Sequence, residues 1–223
     1  MRTKVLKAND VGAVGCAVEA LRRGELVAFP TDTVYGVGCD PWNAEAILAL
    51  YAAKKRPRSM PIPVLLASAE AASAVARSLP AGYDELAGTF WPGGLTLVVP
   101  KRPEVPSSLT AGGDSIAVRL PDHAVARSLA DGIGGCLAAT SANRSGEPAS
   151  VDAASALSAL GGVVSVLLDG GQCPGGIAST VVGLMSDPPR VLRQGAIPYE
   201  ALAQRLPKLR PTTAQPLARG SLW

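Results

Sequence analysis

Apolar and polar residues follow two different spacings along the chain, which predicts helices that alternate with strands. Asp10 is expected to cap a first helix, whose apolar positions between residues 11 and 21 lie three or four apart before Gly24. Asn43 is expected to cap a second helix, which continues through Ile47 and Tyr51 into a basic cluster. Further Ala-rich stretches with helical spacing lie near residues 69–78, 82–88, 122–130 and 151–160.

Short, uninterrupted apolar runs predict the strands. They occupy residues 26–29, 62–66, 95–99, 116–118, 136–139, 163–168 and 180–184. Strands that are apolar throughout and are separated by helices are typical of a sheet covered on both faces. We therefore predict a single α/β domain over residues 1–206, with a mixed, twisted open sheet. From residue 207 onward Pro, Thr, Gln, Arg and Gly dominate, which predicts a flexible basic tail over residues 207–223.

Composition excludes a disordered chain and argues against a dedicated nucleic-acid binder. The 223 residues are 48% hydrophobic and only 17% charged, against about 25% charged residues in an average soluble domain. Residues 1–200 carry 17 Lys and Arg against 18 Asp and Glu, whereas residues 201–223 carry four basic residues and no acid. The basic character therefore belongs to the tail, and the body is nearly neutral.

The compartment is predicted from what the sequence lacks. No run reaches the roughly 18 apolar residues of a membrane span, and the polar first ten residues do not resemble a secretory signal. The cysteines Cys16, Cys39, Cys136 and Cys173 show no CxxC spacing, which favours buried thiols in a cytoplasmic protein. Because the sequence has one histidine, His123, we expect no metal held by side chains. Because it has no apolar span, we also expect no membrane partner.

Several common catalytic motifs are absent. The chain has no GxxxxGK[ST] phosphate loop and no GxGxxG after a strand, which argues against P-loop and dinucleotide-binding enzymes. It also has no GxSxG elbow, so His123 is expected to cap a helix or lie at the surface rather than serve a triad.

Polar segments instead follow the predicted strands, where open α/β sheets bind ligands. The first segment, residues 29–38, places two threonines, Asp32 and Tyr35 after a buried strand. The alternative is an ordinary turn in which Thr and Asp close local hydrogen bonds. Further polar segments lie at residues 139–146, 175–182 and 191–195. Each of these is also compatible with a loop that caps the next element, and their shared position at strand ends is the informative feature.

The second segment, Lys54 to Arg58, has four cations in five positions. Such a cluster is also typical of a solvated helix C-terminus, where it compensates the helix dipole. However, Pro57 stops the helix at once, and an apolar strand that follows directly anchors the turn. Lysine as a point charge and arginine as a fork suit a polyphosphate ligand.

Eight motifs together resemble the YrdC/Sua5 family. They are FPTDTVYGVGCD, KKRPRSMPIPVLL, FWPGGLTLVV, LTAGGDSIAVRLPDH, ATSANRSGEPAS, LLDGG, ASTVV and VLRQG, and they span about residues 8 to 205. The resemblance is to the short, single-domain form of the family. It implies a YrdC-like α/β fold in which helices surround a concave cleft.

The resemblance also implies an activity. Members combine L-threonine, bicarbonate or CO2 and ATP into threonylcarbamoyl-AMP and pyrophosphate, with Mg²⁺ carried by the ATP. A separate transferase complex then moves the threonylcarbamoyl group to adenosine 37 of tRNA, so that complex is the expected downstream partner, and a weak RNA contact is possible. The alternatives are a YciO-like divergent relative, a carbamoyl-transfer domain of the hydrogenase-maturation type and a double-stranded RNA-binding module.

The family motifs assign expected roles to residues of this chain. The expected catalytic residues are Lys54 and Arg56. The expected ATP-binding residues are Lys54, Arg58, Thr110, Ser141, Asn143 and Arg193. The expected threonine-binding residues are Thr31, Tyr35, Arg119, Thr140 and Ser179. Ala178 and Gly183 depart from residues common in the family and lie on either side of the strand that follows Ser179.

Overall fold

Residues 2–212 are described by a computed structural model, and within them the strands form one mixed sheet. The strands are β1 (Lys4–Lys7), β2 (Val27–Phe29), β3 (Gly36–Cys39), β4 (Val64–Leu66), β5 (Leu95–Pro100), β6 (Ser115–Arg119), β7 (Cys136–Ser141), β8 (Val166–Asp169), β9 (Thr180–Gly183) and β10 (Arg190–Arg193). Their order across the sheet is β1-β8-β2-β3-β7-β4-β6-β5-β9-β10. Both parallel and antiparallel pairs occur, which confirms the predicted mixed α/β sheet.

Helices cover both faces of this sheet. They are α1 (Ala13–Arg22), α2 (Ala44–Lys54), α3 (Tyr83–Phe90), α4 (Ala124–Gly132), α5 (Ala153–Leu160) and α6 (Tyr199–Arg205). Side chains of α1 and α4 form one core layer with the sheet, and those of α2, α3, α5 and α6 form the larger layer on the opposite face. Burial on both faces explains why the central strands are apolar throughout. None of these helices combines the length and apolar composition that a bilayer crossing requires.

The two predicted helix caps have different outcomes. Asn43 caps α2 as predicted, since its side chain accepts hydrogen bonds from the backbone N–H groups of Glu45 and Ala46. Asp10 does not cap α1. The residue before that helix is Gly12, with φ 81°, and only the backbone carbonyl of Asp10 contacts the turn. A left-handed residue at this position is easily accommodated by glycine.

We expect Asn43→Ala to lower the free energy of unfolding by about 1 kcal/mol, because two helix N–H groups lose their acceptor. Urea denaturation measures the change. Asn43→Asp should retain most of the stability, since a carboxylate accepts the same bonds. Asn9→Ala, at an exposed asparagine in a turn, is the matched control. Equal losses for Asn43→Ala and Asn9→Ala would contradict the capping role.

The strands β1, β3 and β10 and the helix α6 had no clear signal in the sequence. β1 and β10 are short strands with a basic residue at each end, and β3 contains two glycines. The Ala-rich stretch near residues 69–78 forms only a 3-10 helix over Glu70–Ala74, because Ala76 pairs with Lys101 in an isolated bridge. The apolar run at residues 163–168 becomes a strand only from Val166, since Val163 belongs to the turn after α5.

The chain remains packed against the sheet beyond residue 206. Leu209 is buried in the larger core layer, and Arg210 exchanges backbone hydrogen bonds with Val191 and Pro189 at 2.9 Å each. Packing against the sheet therefore continues to Arg210, beyond the predicted domain boundary at residue 206. Residues 213–223 of the predicted tail lie outside the described residues.

Candidate active site

A small cavity of about 100 Å³ opens where loops and strand ends from the middle of the sheet meet. Hydroxyl side chains, two arginines and small apolar groups line it. The lining residues are Thr31, Thr33, Val34, Tyr35, Gly36, Pro63, Leu65, Thr96, Arg119, Ala139, Thr140, Ser141, Ala178, Ser179 and Arg193. The polar segments at strand ends therefore converge, as their positions in the sequence predicted. The volume is well below the 300–1,000 Å³ of sites for drug-sized ligands, so the cavity suits a molecule of amino-acid size.

Arg119, the last residue of β6, is the most firmly held cation of the cavity. Its guanidinium forms an ion pair with Asp32 at 2.6 Å and donates to the hydroxyl of Thr33 at 2.9 Å and to the carbonyl of Gly93 at 2.8 Å. Burial lowers the pKa of Arg119, and the negative charge of Asp32 opposes that shift. These contacts use three of the five guanidinium N–H groups, so two remain for an anionic ligand.

Thr31 and Tyr35 hold the shape of the loop before β3. The Thr31 hydroxyl donates to the Val34 carbonyl at 2.6 Å and accepts from the backbone N–H groups of Thr33 and Val34. The Tyr35 hydroxyl donates to the Gly171 carbonyl at 2.7 Å. Burial raises the pKa of Tyr35 to about 12, so the phenol stays neutral at physiological pH. Both residues line the cavity, but their hydroxyl protons already have acceptors within the protein.

The start of β9 and the end of β10 are joined at the opposite wall. Ser179 and Thr96 are both buried, and their hydroxyl oxygens lie 2.8 Å apart. Arg193 donates from Nη2 to the Ser179 carbonyl at 2.9 Å and to its hydroxyl at 3.2 Å. Partial burial lowers the pKa of Arg193, and the positive charges of Arg56 and Arg119 lower it further. Arg119 and Arg193 therefore both line the cavity, and the charge of Arg56 lies near enough to act on Arg193, which favours a ligand with negative charges.

Lys54, at the end of α2, lies behind the cavity rather than in its lining. Its side chain is buried, and Nζ donates to the backbone carbonyls of Ser141 and Asn143 and to Oδ1 of Asn143. Burial, helped by the nearby positive charge of Arg56, lowers the pKa of Lys54 to about 7. An ammonium has three N–H groups, so these contacts leave none for a ligand. Lys54 therefore positions the segment that carries Ser141.

The remaining predicted site residues also lie outside the cavity lining. Arg56 donates to the carbonyls of Met60 and Pro61, and burial lowers its pKa. Thr110 is buried and donates to the Gly113 carbonyl at 3.0 Å. Asn143 is held by Lys54, as described above. Arg58 is exposed and faces a separate groove of about 240 Å³ beside Ser107 and Ser108.

The predicted threonine-binding residues and the predicted ATP-binding residues differ in how many of them line the cavity. All of the predicted threonine-binding residues line the cavity, namely Thr31, Tyr35, Arg119, Thr140 and Ser179. Of the predicted ATP-binding residues, Ser141 and Arg193 line it. Thr140 and Ser141 both line the cavity, and neither side-chain hydroxyl has a hydrogen-bond partner within residues 2–212. They are therefore free to bind a ligand.

Sequence reasoning gave no individual role to Asp32, Thr33 or Thr96. Asp32 and Thr33 were visible only as members of a polar segment, because their contact with Arg119 joins positions more than 80 residues apart. Thr96 had a detectable signal, since it is the one polar residue in the apolar run of β5 between Leu95 and Val99. Across residues 2–212, no group of three or more His, Cys, Asp and Glu is arranged to hold a metal ion.

An open mixed sheet with a small, hydroxyl-lined and cationic cavity at its strand ends defines an α/β protein whose cavity suits a small ligand that carries a negatively charged group. The chain belongs to the Sua5/YciO/YrdC family, whose model, described as "Telomere recombination", matches residues 19–195. This confirms the resemblance found in the sequence motifs.

Two relatives give the extent of the similarity. The Pyrococcus abyssi protein named "Threonylcarbamoyl-AMP synthase" is 39% identical over 190 residues, which cover 85% of this chain and 56% of that protein. A Mycobacterium tuberculosis relative is 43% identical over 190 residues, which cover 85% of this chain and 87% of the relative. The chain therefore spans little more than half of the Pyrococcus protein but most of the mycobacterial one.

Solved structures agree with the family assignment. "Crystal structure of P. abyssi Sua5 complexed with L-threonine" matches with a TM-score of 0.90 and 34% identity, and covers 99% of this chain and 64% of that one. Escherichia coli YciO matches with a TM-score of 0.79 and 22% identity over 90% of this chain and 98% of that one. At that identity the YciO likeness shows the fold alone.

Proposed function

We propose that this chain synthesises L-threonylcarbamoyl-AMP from L-threonine, bicarbonate or CO2, and ATP, with release of pyrophosphate. The observation that carries the proposal is Arg119, which is fixed by Asp32, Thr33 and Gly93 and still has two N–H groups for a ligand in a cavity of amino-acid size. A carboxylate is the group that such a guanidinium binds best. The relative crystallised with L-threonine supports the same ligand here.

The proposed reaction needs positioned charges more than acids and bases. The threonine amine adds to CO2 and releases a proton to become a carbamate. With bicarbonate, the amine nitrogen bonds to the carbon, the C–OH bond breaks, and the hydroxide leaves with the amine proton as water. A carbamate oxygen then attacks the α-phosphorus of ATP, and the bond to the β-phosphate oxygen breaks to release pyrophosphate. Holding the carbamate and the phosphate in line, and neutralising the charge on the phosphates, supplies most of the acceleration in such transfers.

The residues divide between the two substrates. In this proposal the cavity holds threonine against Arg119 and Thr140, while Ser141 and Arg193 receive the nucleotide phosphates. Lys54 and Asn143 act by positioning Ser141, and Arg56 contributes its charge near Arg193. In this proposal Arg58, in its exposed groove, contacts the nucleotide, and the buried Thr110 shapes the loop that carries Ser107 and Ser108 of that groove.

The other expected partners are proposals as well. Mg²⁺ would arrive on the triphosphate and be held mainly by phosphate oxygens, since residues 2–212 offer no cluster of metal ligands. The product would pass to the complex that forms threonylcarbamoyladenosine in tRNA. A direct RNA contact and the cytoplasmic location remain predictions from the sequence.

Pyrophosphate release tests the proposed function. With MgATP and bicarbonate, the purified chain should release pyrophosphate when L-threonine is added and much less when L-serine is added. Omitting bicarbonate from CO2-depleted buffer should abolish the release, and the acid-labile adenylate should be detectable by mass spectrometry. Release that is independent of threonine would refute the proposal. Steep, salt-sensitive RNA binding without turnover would favour the RNA-binding alternative instead.

A further inference from the structure

The hydroxyl pair of Thr96 and Ser179 is the part of the cavity whose hydrogen bonds are incomplete. Both side chains are buried, at 2% and 7% exposure, and both line the cavity. Their oxygens are 2.8 Å apart, and Ser179 also accepts a bond from Nη2 of Arg193 at 3.2 Å. Thr96 is the second residue of β5 and pairs with Val181 of β9, while Ser179 directly precedes β9, so two adjacent strands hold the pair.

The pair of Thr96 and Ser179 lacks an acceptor for one of its hydroxyl protons. Two hydroxyls carry two protons, and one of these lies between the two oxygens. The guanidinium of Arg193 can only donate, so it accepts neither proton. The second proton therefore has no acceptor within residues 2–212, whichever hydroxyl donates to the other. A buried donor without an acceptor is unfavourable, so a ligand that supplies an oxygen at this wall would complete the hydrogen bonds of the pair.

Neighbouring groups limit which ligand oxygen this is. The antiparallel register that pairs Leu97 with Val118 brings Thr96 opposite Arg119 on the adjacent strand. Arg119 is the group suited to the carboxylate. The Thr31 hydroxyl already donates to the Val34 carbonyl. The Thr33 hydroxyl already contacts the Thr31 hydroxyl and accepts a hydrogen bond from Arg119. The amine must keep its lone pair to form the carbamate. The remaining polar group of a small hydroxy amino acid is its side-chain hydroxyl.

We propose that Thr96, together with Ser179, binds the side-chain hydroxyl of the amino acid and makes the site selective for a β-hydroxy amino acid over its apolar isostere. This inference rests on the proposed function and assigns the specificity of the same site. A hydroxyl both donates and accepts, so it can satisfy the free proton and also bond to a free lone pair of the hydroxyl pair. An amino acid with a methyl group in place of the hydroxyl leaves that proton without an acceptor.

The test compares L-threonine with L-valine, which has nearly the same shape but no hydroxyl. In Thr96→Val, kcat/KM for threonine should fall roughly 10- to 100-fold, while kcat/KM for valine should stay unchanged or rise. The threonine-to-valine ratio therefore falls by the same factor. Thr96→Ser keeps the hydroxyl and should preserve the ratio. Calorimetric titration of each variant with threonine alone should show the same order of affinities without turnover.

Three outcomes would overturn the inference. In the first, Thr96→Val lowers kcat/KM for threonine and valine equally, which would mean that the pair binds the carboxylate or is only structural. In the second, Thr96→Val leaves the ratio intact. In the third, Thr140→Val lowers the ratio in place of Thr96→Val, which would assign the hydroxyl to the Thr140 wall. Failure of the proposed function is distinguishable, because the unmodified chain would then release no pyrophosphate with threonine.

Discussion

Arg119→Lys should lower threonine-dependent pyrophosphate release by about 10²–10³-fold, as expected when a positioned charge is lost from such a site. Lysine keeps the positive charge but has no planar fork, so it cannot bond to Asp32, Thr33 and Gly93 and still bind a carboxylate. The loss should appear as weaker threonine binding in calorimetry and as lower kcat/KM for threonine, with a smaller change in KM for ATP.

A matched control shows whether the effect of Arg119→Lys is specific to the cavity or follows from replacing any arginine. Arg127, on α4, bonds to the Pro121 carbonyl and to Asp122 at the surface, so Arg127→Lys should leave turnover unchanged. In Arg119→Ala the partly buried Asp32 loses its partner, and the free energy of unfolding should fall by about 3 kcal/mol. Arg119→Lys with unchanged threonine binding would rule out Arg119 as the carboxylate site.

Lys54→Met should destabilise the fold and disable the site together. It leaves the buried carbonyls of Ser141 and Asn143 without their donor, at about 1–3 kcal/mol for each. The segment that carries Ser141 would then lose its position, so turnover should fall even at temperatures where the variant is folded. Lys55→Met, at the exposed neighbouring lysine, is the control and should change neither property. Full activity in a folded Lys54→Met variant would contradict the positioning role.

The low pKa of Lys54 also predicts a pH dependence of stability. Burial lowers this pKa from 10.5 to about 7, so between these values the unfolded chain binds more protons than the folded one. Stability therefore rises with pH across this range relative to Lys54→Met, with a slope of at most about 1.4 kcal/mol per pH unit. Below pH 7 the lysine is protonated in both states, so the difference stays constant. Urea denaturation of both proteins from pH 6 to 9 checks this, and a constant difference throughout would contradict it.

Much of the fold was predictable because local signals agreed with burial. The apolar runs of β5 and β7 and the Asn43 cap of α2 each follow from short stretches of sequence. Edge strands such as β1 gave no such signal, because a strand that faces solvent keeps charged residues. Asp10 was a plausible cap by composition, but Gly12 took the left-handed position before α1.

The site was predictable as a set of segments, whereas its internal contacts were not. Strand-end positions and family motifs brought Thr31, Arg119 and Ser179 to attention. The sequence does not show which hydrogen-bonding groups of these residues already have partners within the protein. Those partners come from contacts between distant residues, such as Asp32 with Arg119, which form only in the folded chain. Lys54 shows the same limit, since one lysine of a basic cluster is buried while its neighbour Lys55 is exposed.

The most direct measurement is a crystal structure of the chain with L-threonine and a non-hydrolysable ATP analogue. The account predicts threonine in the 100 Å³ cavity, with its carboxylate on Arg119 and its hydroxyl within hydrogen-bond distance of Thr96 or Ser179. It also predicts the triphosphate at the mouth beside Ser141 and Arg193. Threonine bound outside this cavity, or a triphosphate bound away from these two residues, would contradict the account.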